Sequence, residues 1–114
     1  MKQDDYKNSP LPFVNARNIA KYIGQYAIVH GKCNWVKENV ISLQVNEESH
    51  NEILVNNCKK NPPQNTYVKI IGKIAGDNSI EFLDMFELQN DFDLSIVNDF
   101  IECVENNIVS SYFA

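Results

Sequence analysis

Hydrophobic and polar positions alternate along the middle of this chain, then switch to a helical rhythm near its end. Residues 39–46 alternate most clearly: Ile41, Leu43 and Val45 point one way, Ser42, Gln44 and Asn46 the other. That is the period-2 pattern of a half-buried strand. Residues 50–56 repeat it through Ile53 and Val55, and residues 25–37, 66–75 and 79–88 are three further strand-like runs. Gly76, Asp77 and Asn78 predict a tight hairpin turn between the last two. Residues 59–65 contain Pro62 and Pro63 and read as a loop, because tandem prolines cannot donate to a strand ladder. Ahead of the strands, Asn15 is a candidate helix N-cap and Gly24 a C-terminal stop. Ile19, Tyr22 and Ile23 share one face between them, which predicts a short helix over 16–22.

Two glycines, Gly31 and Gly72, fall inside the longest strands. A mid-strand glycine marks a bulge or a sharp bend, and a strand that bends can serve two sides of a closed barrel. The expected architecture is therefore mainly β: a five-stranded barrel of the OB-fold type, with a short N-terminal helix and a C-terminal amphipathic helix. The domain reading is a flexible arm over 1–12, a barrel over 13–90 and an assembly helix over 91–110. In that helix Asp93 is a candidate cap. Leu94, Val97, Ile101, Val104 and Ile108 recur at spacings of three and four, flanked by Ile96 and Phe100. The opposite face is assigned Asn98, Asp99, Glu102, Glu105 and Asn106.

With 114 residues the chain suits one domain with a modest core. No apolar run approaches the roughly 18 residues of a membrane span, and residues 1–9 carry no signal-peptide pattern, so a soluble intracellular protein is expected. Cys33, Cys58 and Cys103 are an odd, widely spaced set without zinc-site spacing. They read as free buried thiols in a reducing compartment. Charge is divided unevenly. All ten Lys and Arg lie at or before Lys73 with six acidic residues, and nine acidic residues follow with no basic one. A phosphate backbone is repelled by the second part and weakly attracted by the first. That is a poor profile for a tight, independent nucleic-acid binder.

Catalysis has little support. His30 and His50 have no nucleophile or metal-ligand partner at useful spacing. The four glycines form no phosphate-cradling loop, and the pairs Asp4-Asp5 and Glu47-Glu48 fall in tails or turns. No catalytic residue, metal or cofactor is expected.

Several local stretches resemble one family. Phe13-Val14-Asn15-Ala16-Arg17 and Tyr22-Ile23-Gly24 look like its opening. Val29-His30-Gly31-Lys32 and Val68-Lys69-Ile70-Ile71-Gly72-Lys73-Ile74 match its first and fourth strands. Phe92-Asp93-Leu94, with Val97-Asn98 and Phe100, matches the start of its C-terminal helix. The family is the small, third subunit of replication protein A, the eukaryotic heterotrimer that binds single-stranded DNA. The likeness spans roughly residues 13 to 107. Glu87-Leu88-Gln89 departs from it where the family often has glycine, and the loops after the second and third strands also diverge. The resemblance implies a nuclear structural subunit that supports replication, repair and recombination. It pairs with the middle subunit and joins the large one through a three-helix bundle, with little DNA contact of its own.

The helix stripe could pack on its own barrel or on a partner. Its four turns exceed one side of a small barrel, and the interior is already filled by strand residues, so a partner is favoured. Burying five such side chains contributes roughly 8–15 kcal/mol before the costs of association. Leu94, Val97, Phe100, Ile101, Val104 and Ile108 are the expected partner-binding residues. Glu102 and Glu105 oppose the helix dipole, and a basic neighbour on a partner would relieve them. For weak DNA contact the candidates are Lys32, Lys37, Tyr67, Lys69 and Lys73. Trp35 shares the phase of Ala27, Val29 and Cys33 and is expected to point into the core, leaving Tyr67 as the better exposed aromatic. The rival reading is a free-standing OB-fold nucleic-acid-binding module, telomere- or RNA-associated. An exposed a/d stripe can also close on a second copy, so the isolated chain is a candidate for self-association.

Overall fold

The structure, a computed structural model, describes residues 11–45, 52–60 and 62–105. Ile108, His50, Glu47-Glu48 and nearly all of the expected arm lie outside the described residues.

Six strands form in order: β1 (Phe13–Val14), β2 (Tyr26–Lys37), β3 (Val40–Gln44), β4 (Glu52–Asn56), β5 (Tyr67–Gly76) and β6 (Ser79–Glu87). Helix α1 (Leu94–Glu105) follows. The sheet runs β1-β2-β3-β4-β6-β5, and a further β2–β5 pairing brings its end back to β2. Five strands therefore close into a ring, β2-β3-β4-β6-β5, with β1 added to β2 in parallel. The β4–β6 pair is parallel, Val55 opposite Ile80, while the other pairs in the ring are antiparallel.

β2 serves two neighbours. Residues 26–32 pair with β5, and residues 32–37 pair with β3. Gly31 stands at that crossing. A Cβ there would lie 3.0 Å from the Leu43 Cβ and 3.1 Å from the Gln44 carbonyl oxygen. Gly72 is tighter, since its Cβ would lie 2.2 Å from the Glu81 carbonyl oxygen. There Ile71 pairs with Asp84 but Gly72 pairs with Phe82, so Leu83 is extruded as a bulge. Both mid-strand glycines thus sit where strands approach too closely for a side chain.

The interior is filled in the alternating pattern. Ile41, Leu43 and Val45 from β3 and its exit meet Val29, Ile53, Val55, Val68, Ile70, Ile74 and Ile80, all buried. Cys33 and Cys58 are buried thiols, and Cys103 on α1 is half-buried. Desolvation pushes both buried thiols up from their ordinary values.

The N-terminal helix differs from expectation. Residues 16–18 form turns, and a 3-10 helix covers only Ile19–Tyr22. The Asn15 carboxamide oxygen accepts from the backbone N–H of Arg17 at 3.0 Å and of Asn18 at 3.3 Å, which closes the turn locally. Gly24, at φ +88°, ends the segment in the left-handed region, and its N–H donates to the Ile74 carbonyl.

Candidate partner and nucleic-acid surfaces

Asp93 starts α1 by accepting from the Ser95 N–H at 2.9 Å and the Ser95 hydroxyl at 2.6 Å. Those bonds hold its carboxyl below the usual value. The helix then lies on the outside of the barrel. Leu94 and Ile101 are 1% and 3% exposed, yet neither belongs to the interior cluster, so their burial is the footing of α1 on the outer surface. Asn98 completes that footing. Its amide donates to the Val45 carbonyl at 3.0 Å, and its oxygen accepts from the Asn15 amide at 3.0 Å.

This divides the expected partner stripe. Leu94 and Ile101 are committed to this chain's own barrel, and Val97 is half-buried. Ile96, Phe100 and Val104 are exposed by 66%, 46% and 41%. At positions i, i+4 and i+8 they form an apolar line along the helix, exposed to solvent although Phe100 also touches Phe13 of β1. Asn98, assigned to the polar outer face, instead faces the barrel, because backbone oxygen and amide partners await it there. Glu102 pairs with Arg17 of the same chain, so its basic neighbour comes from the N-terminal segment rather than from a partner. Sequence spacing gave no sign of that contact, which spans 85 positions.

An aromatic seam joins helix and barrel. Phe92 stacks on His30 with ring centroids 5.7 Å apart and planes at 6°. Phe13 meets His30 edge-on at 5.1 Å and touches Phe100 at 5.6 Å. His30 is therefore buried. Its pKa is lowered to about 4, first by desolvation and then by the Lys69 charge. Its Nδ1 atom has no hydrogen-bond partner among the described residues.

The expected DNA-contact residues fall on the outer faces of β2 and β5. Lys32 pairs in register with Tyr67, His30 with Lys69, and Tyr26 with Lys73. The Lys32 ammonium lies 5.6 Å from the Tyr67 ring centroid. Tyr67 is only half-exposed, because Phe92 lies against it at 6.1 Å. Lys37 stands apart at the far end of β2. Phe86 went unnoticed in the sequence, where Lys60 reads only as a solvated loop lysine. Phe86, exposed on β6, carries the Lys69 ammonium at 5.2 Å and the Lys60 ammonium at 5.9 Å from its centroid. Lys60 also bonds Asp84 at 3.2 Å and the Met85 carbonyl at 3.1 Å.

Trp35 does not enter the core; it is 50% exposed. β5 stops pairing with β2 at Lys32, so the side of β2 that carries Ala27, Val29 and Cys33 runs out past the end of the interior. The indole N–H donates to the Pro62 carbonyl at 2.7 Å, and the Trp35 N–H to the Gln64 side chain at 2.6 Å. Trp35 thereby borders a groove of about 510 Å³.

A closed five-stranded barrel with one parallel pair, wrapped on one side by a C-terminal helix, is an OB-fold. Solved structures agree on that fold. A chain of Ustilago maydis (U. maydis) replication protein A bound to single-stranded DNA superposes with TM-score 0.69 at 22% identity, covering 86% of this chain and 92% of that one. The telomere capping protein Ten1 from Saccharomyces pombe gives 0.68 at 12%, covering 85% and 99%. A chain of yeast replication protein A bound to single-stranded DNA gives 0.65 at 16%, covering 85% and 94%. A comparison with curated proteins finds no match. The family model for Replication factor A protein 3 matches residues 7–109, and the chain belongs to that family.

Proposed function

We propose that this chain is a structural subunit of a nuclear, heterotrimeric replication protein A complex. On this reading it supports DNA replication, repair and recombination by assembly and supplies no chemistry of its own. It engages the middle and large subunits through α1 in a three-helix bundle, and single-stranded DNA through the complex. The observation that carries the reading is the line Ile96–Phe100–Val104, exposed on a helix whose other side is already seated on the barrel. Covering those three side chains contributes about 5–8 kcal/mol before association costs, enough to anchor a helix of a neighbouring subunit.

The test is co-expression with the middle replication protein A subunit of the same organism. Wild type is expected to form a stoichiometric complex. Ile96→Asp/Phe100→Asp/Val104→Asp is expected to lose it while the barrel keeps its circular dichroism spectrum. Leu94→Asp/Ile101→Asp is expected to lose the complex and the helix footing together. Failure of wild type to bind would sink the reading. The similarity in fold to Ten1 favours a second one, a telomere-associated OB-fold module. It would gain if the chain instead captured a telomere-capping partner of the same organism.

A further inference from the structure

We propose that the groove beside Trp35 docks an acidic segment of a partner protein, which seats an apolar side chain between lysines. This surface is separate from α1. The helix is held at Val45, just past one end of β3, through Asn98. Val40 and Ile41, at the other end of β3, line the groove.

The groove exists because two pieces of chain are tied together past the end of the barrel. One wall is the tip of the β2–β3 hairpin, and the other is the chain that follows β4. Asn39 turns the hairpin at φ +63°, and its carbonyl accepts from the Cys58 N–H at 2.8 Å. The Cys58 thiol donates to the Lys60 carbonyl at 3.2 Å. The Trp35 indole donates to the Pro62 carbonyl at 2.7 Å. These bonds fix both walls before anything binds, which spares a ligand the cost of ordering them. The space between them is about 510 Å³, within the range of small binding pockets.

Its lining combines apolar and basic groups. Trp35 and Val36 are 50% and 56% exposed, and half-buried Val40 lies in the same lining. Exposed apolar residues that adjoin on a fixed surface mark an interaction site, where single scattered ones do not. Lys37 and Lys60 line the groove too, and Lys59 is exposed next in sequence. Lys60 is paired with Asp84, so Lys37 and Lys59 set the local field against Glu38. A partner that covers the groove must bring an apolar side chain and negative charge together. Those groups favour a peptide over a nucleic acid. A phosphate chain carries charge at every link and would meet Glu38 as well as the lysines, whereas a peptide can place carboxylates opposite Lys37 and Lys59 alone. Apart from the one indole the apolar lining is aliphatic, at Val36, Val40 and Ile41. That suits a leucine or phenylalanine side chain rather than a run of stacked bases.

Trp35 is the one tryptophan in the chain, so its fluorescence reports on the groove directly. The full chain is titrated with a labelled peptide of aspartates around one phenylalanine and one leucine, free of tryptophan and tyrosine. A saturable change in Trp35 emission is expected, with a Kd of about 100 μM or tighter. Replacing the peptide's aspartates by asparagines should weaken binding about tenfold, through loss of its exposed ion pairs. Lys37→Glu/Lys59→Glu should weaken it by about tenfold or more. Trp35→Ala, read by peptide anisotropy, should weaken it by a similar factor. Because the indole also ties the two walls together, Val36→Asp is the second variant: it leaves the Trp35 bonds in place and should likewise abolish most of the binding. No binding up to about 1 mM peptide would overturn the site. So would equal binding of the asparagine peptide, or binding that survives both the lysine and the Val36 variants. Displacement of the peptide by a lower concentration of oligo-dT would also overturn it, assigning the groove to nucleic acid. None of these outcomes depends on whether co-expression yields a complex.

Discussion

The interior of the barrel and the footing of α1 bury similar side chains in different ways. Inside, Val29, Leu43, Ile53, Ile70 and Ile80 come one from each strand of the ring and are fully buried. Each is held from both sides by a hydrogen-bonded ladder, so no one strand can move alone. Outside, α1 is fixed by two buried apolar residues, one bifunctional asparagine and an aromatic seam. The closed ring is over-determined. The helix is held at a few points and keeps a second apolar face uncovered. On the proposed reading that asymmetry suits a subunit: a ring that holds its own shape, and a helix that can adjust against a neighbour.

The largest effect should come from the place where closure leaves no room. Gly72→Val puts a branched side chain where even a Cβ would be 2.2 Å from a backbone oxygen. The backbone of β6 cannot retreat without breaking its ladder, so a loss of about 4 kcal/mol or more is expected. Gly31→Ala, at 3.0 Å from a side-chain carbon and 3.1 Å from a backbone oxygen, should cost about 1–2 kcal/mol. Denaturant unfolding of both variants measures the contrast. If Gly72→Val were as mild as Gly31→Ala, the ring would be looser than its register implies.

Acid should act on the seam before it acts on the interior. His30 has a folded pKa of about 4 against an ordinary value of 6.5, so the unfolded chain binds the proton more readily. The stability this contributes is complete above pH 6.5 and is lost as pH falls toward 4. It amounts to about 3 kcal/mol when fully lost. His30→Phe keeps a ring against Phe92 and Phe13 and should flatten the stability profile between pH 6.5 and 4 relative to wild type. An unchanged slope would mean that His30 binds its proton equally well in the folded and unfolded chain, so that the seam carries no pH dependence.

How far these features could be read from sequence depends on whether the signal is local. Alternation at Ile41, Leu43 and Val45, and at Ile53 and Val55, is a property of a strand alone, and all five are buried. The phase of β6 is not local. A period-2 reading from Ile80 and Phe82 would turn Phe86 inward, but the bulge at Leu83 reverses the phase, so Met85 enters and Phe86 leaves. Trp35 failed for a related reason: its phase was right, but the interior ends before it does. β1 is two residues long, too short for any periodicity. On α1 the a/d spacing identified an amphipathic helix, yet it could not divide the stripe between barrel and solvent. That division depends on Asn15 and Val45, far away in sequence.

The smallest effect tests that division most closely. Asn98 is the polar residue that sets the rotation of α1, because its two bonds go to different elements, the Val45 carbonyl and the Asn15 amide. Asn98→Ala removes both. The Val45 oxygen and the Asn15 amide are then left short of a partner at a half-buried site, which should cost about 1–2 kcal/mol. The loss should be confined to the helix. Hydrogen exchange is expected to quicken in α1 while the amides of β2 and β5 keep their protection. Val97, next to Asn98 and already half-buried, would be free to turn inward, carrying Ile96 and Phe100 with it. Partner affinity should therefore fall although no exposed apolar residue has been changed. If exchange quickened throughout the barrel and helix alike, α1 would be an integral wall of the core, and the contrast between a rigid ring and an adjustable helix would fail.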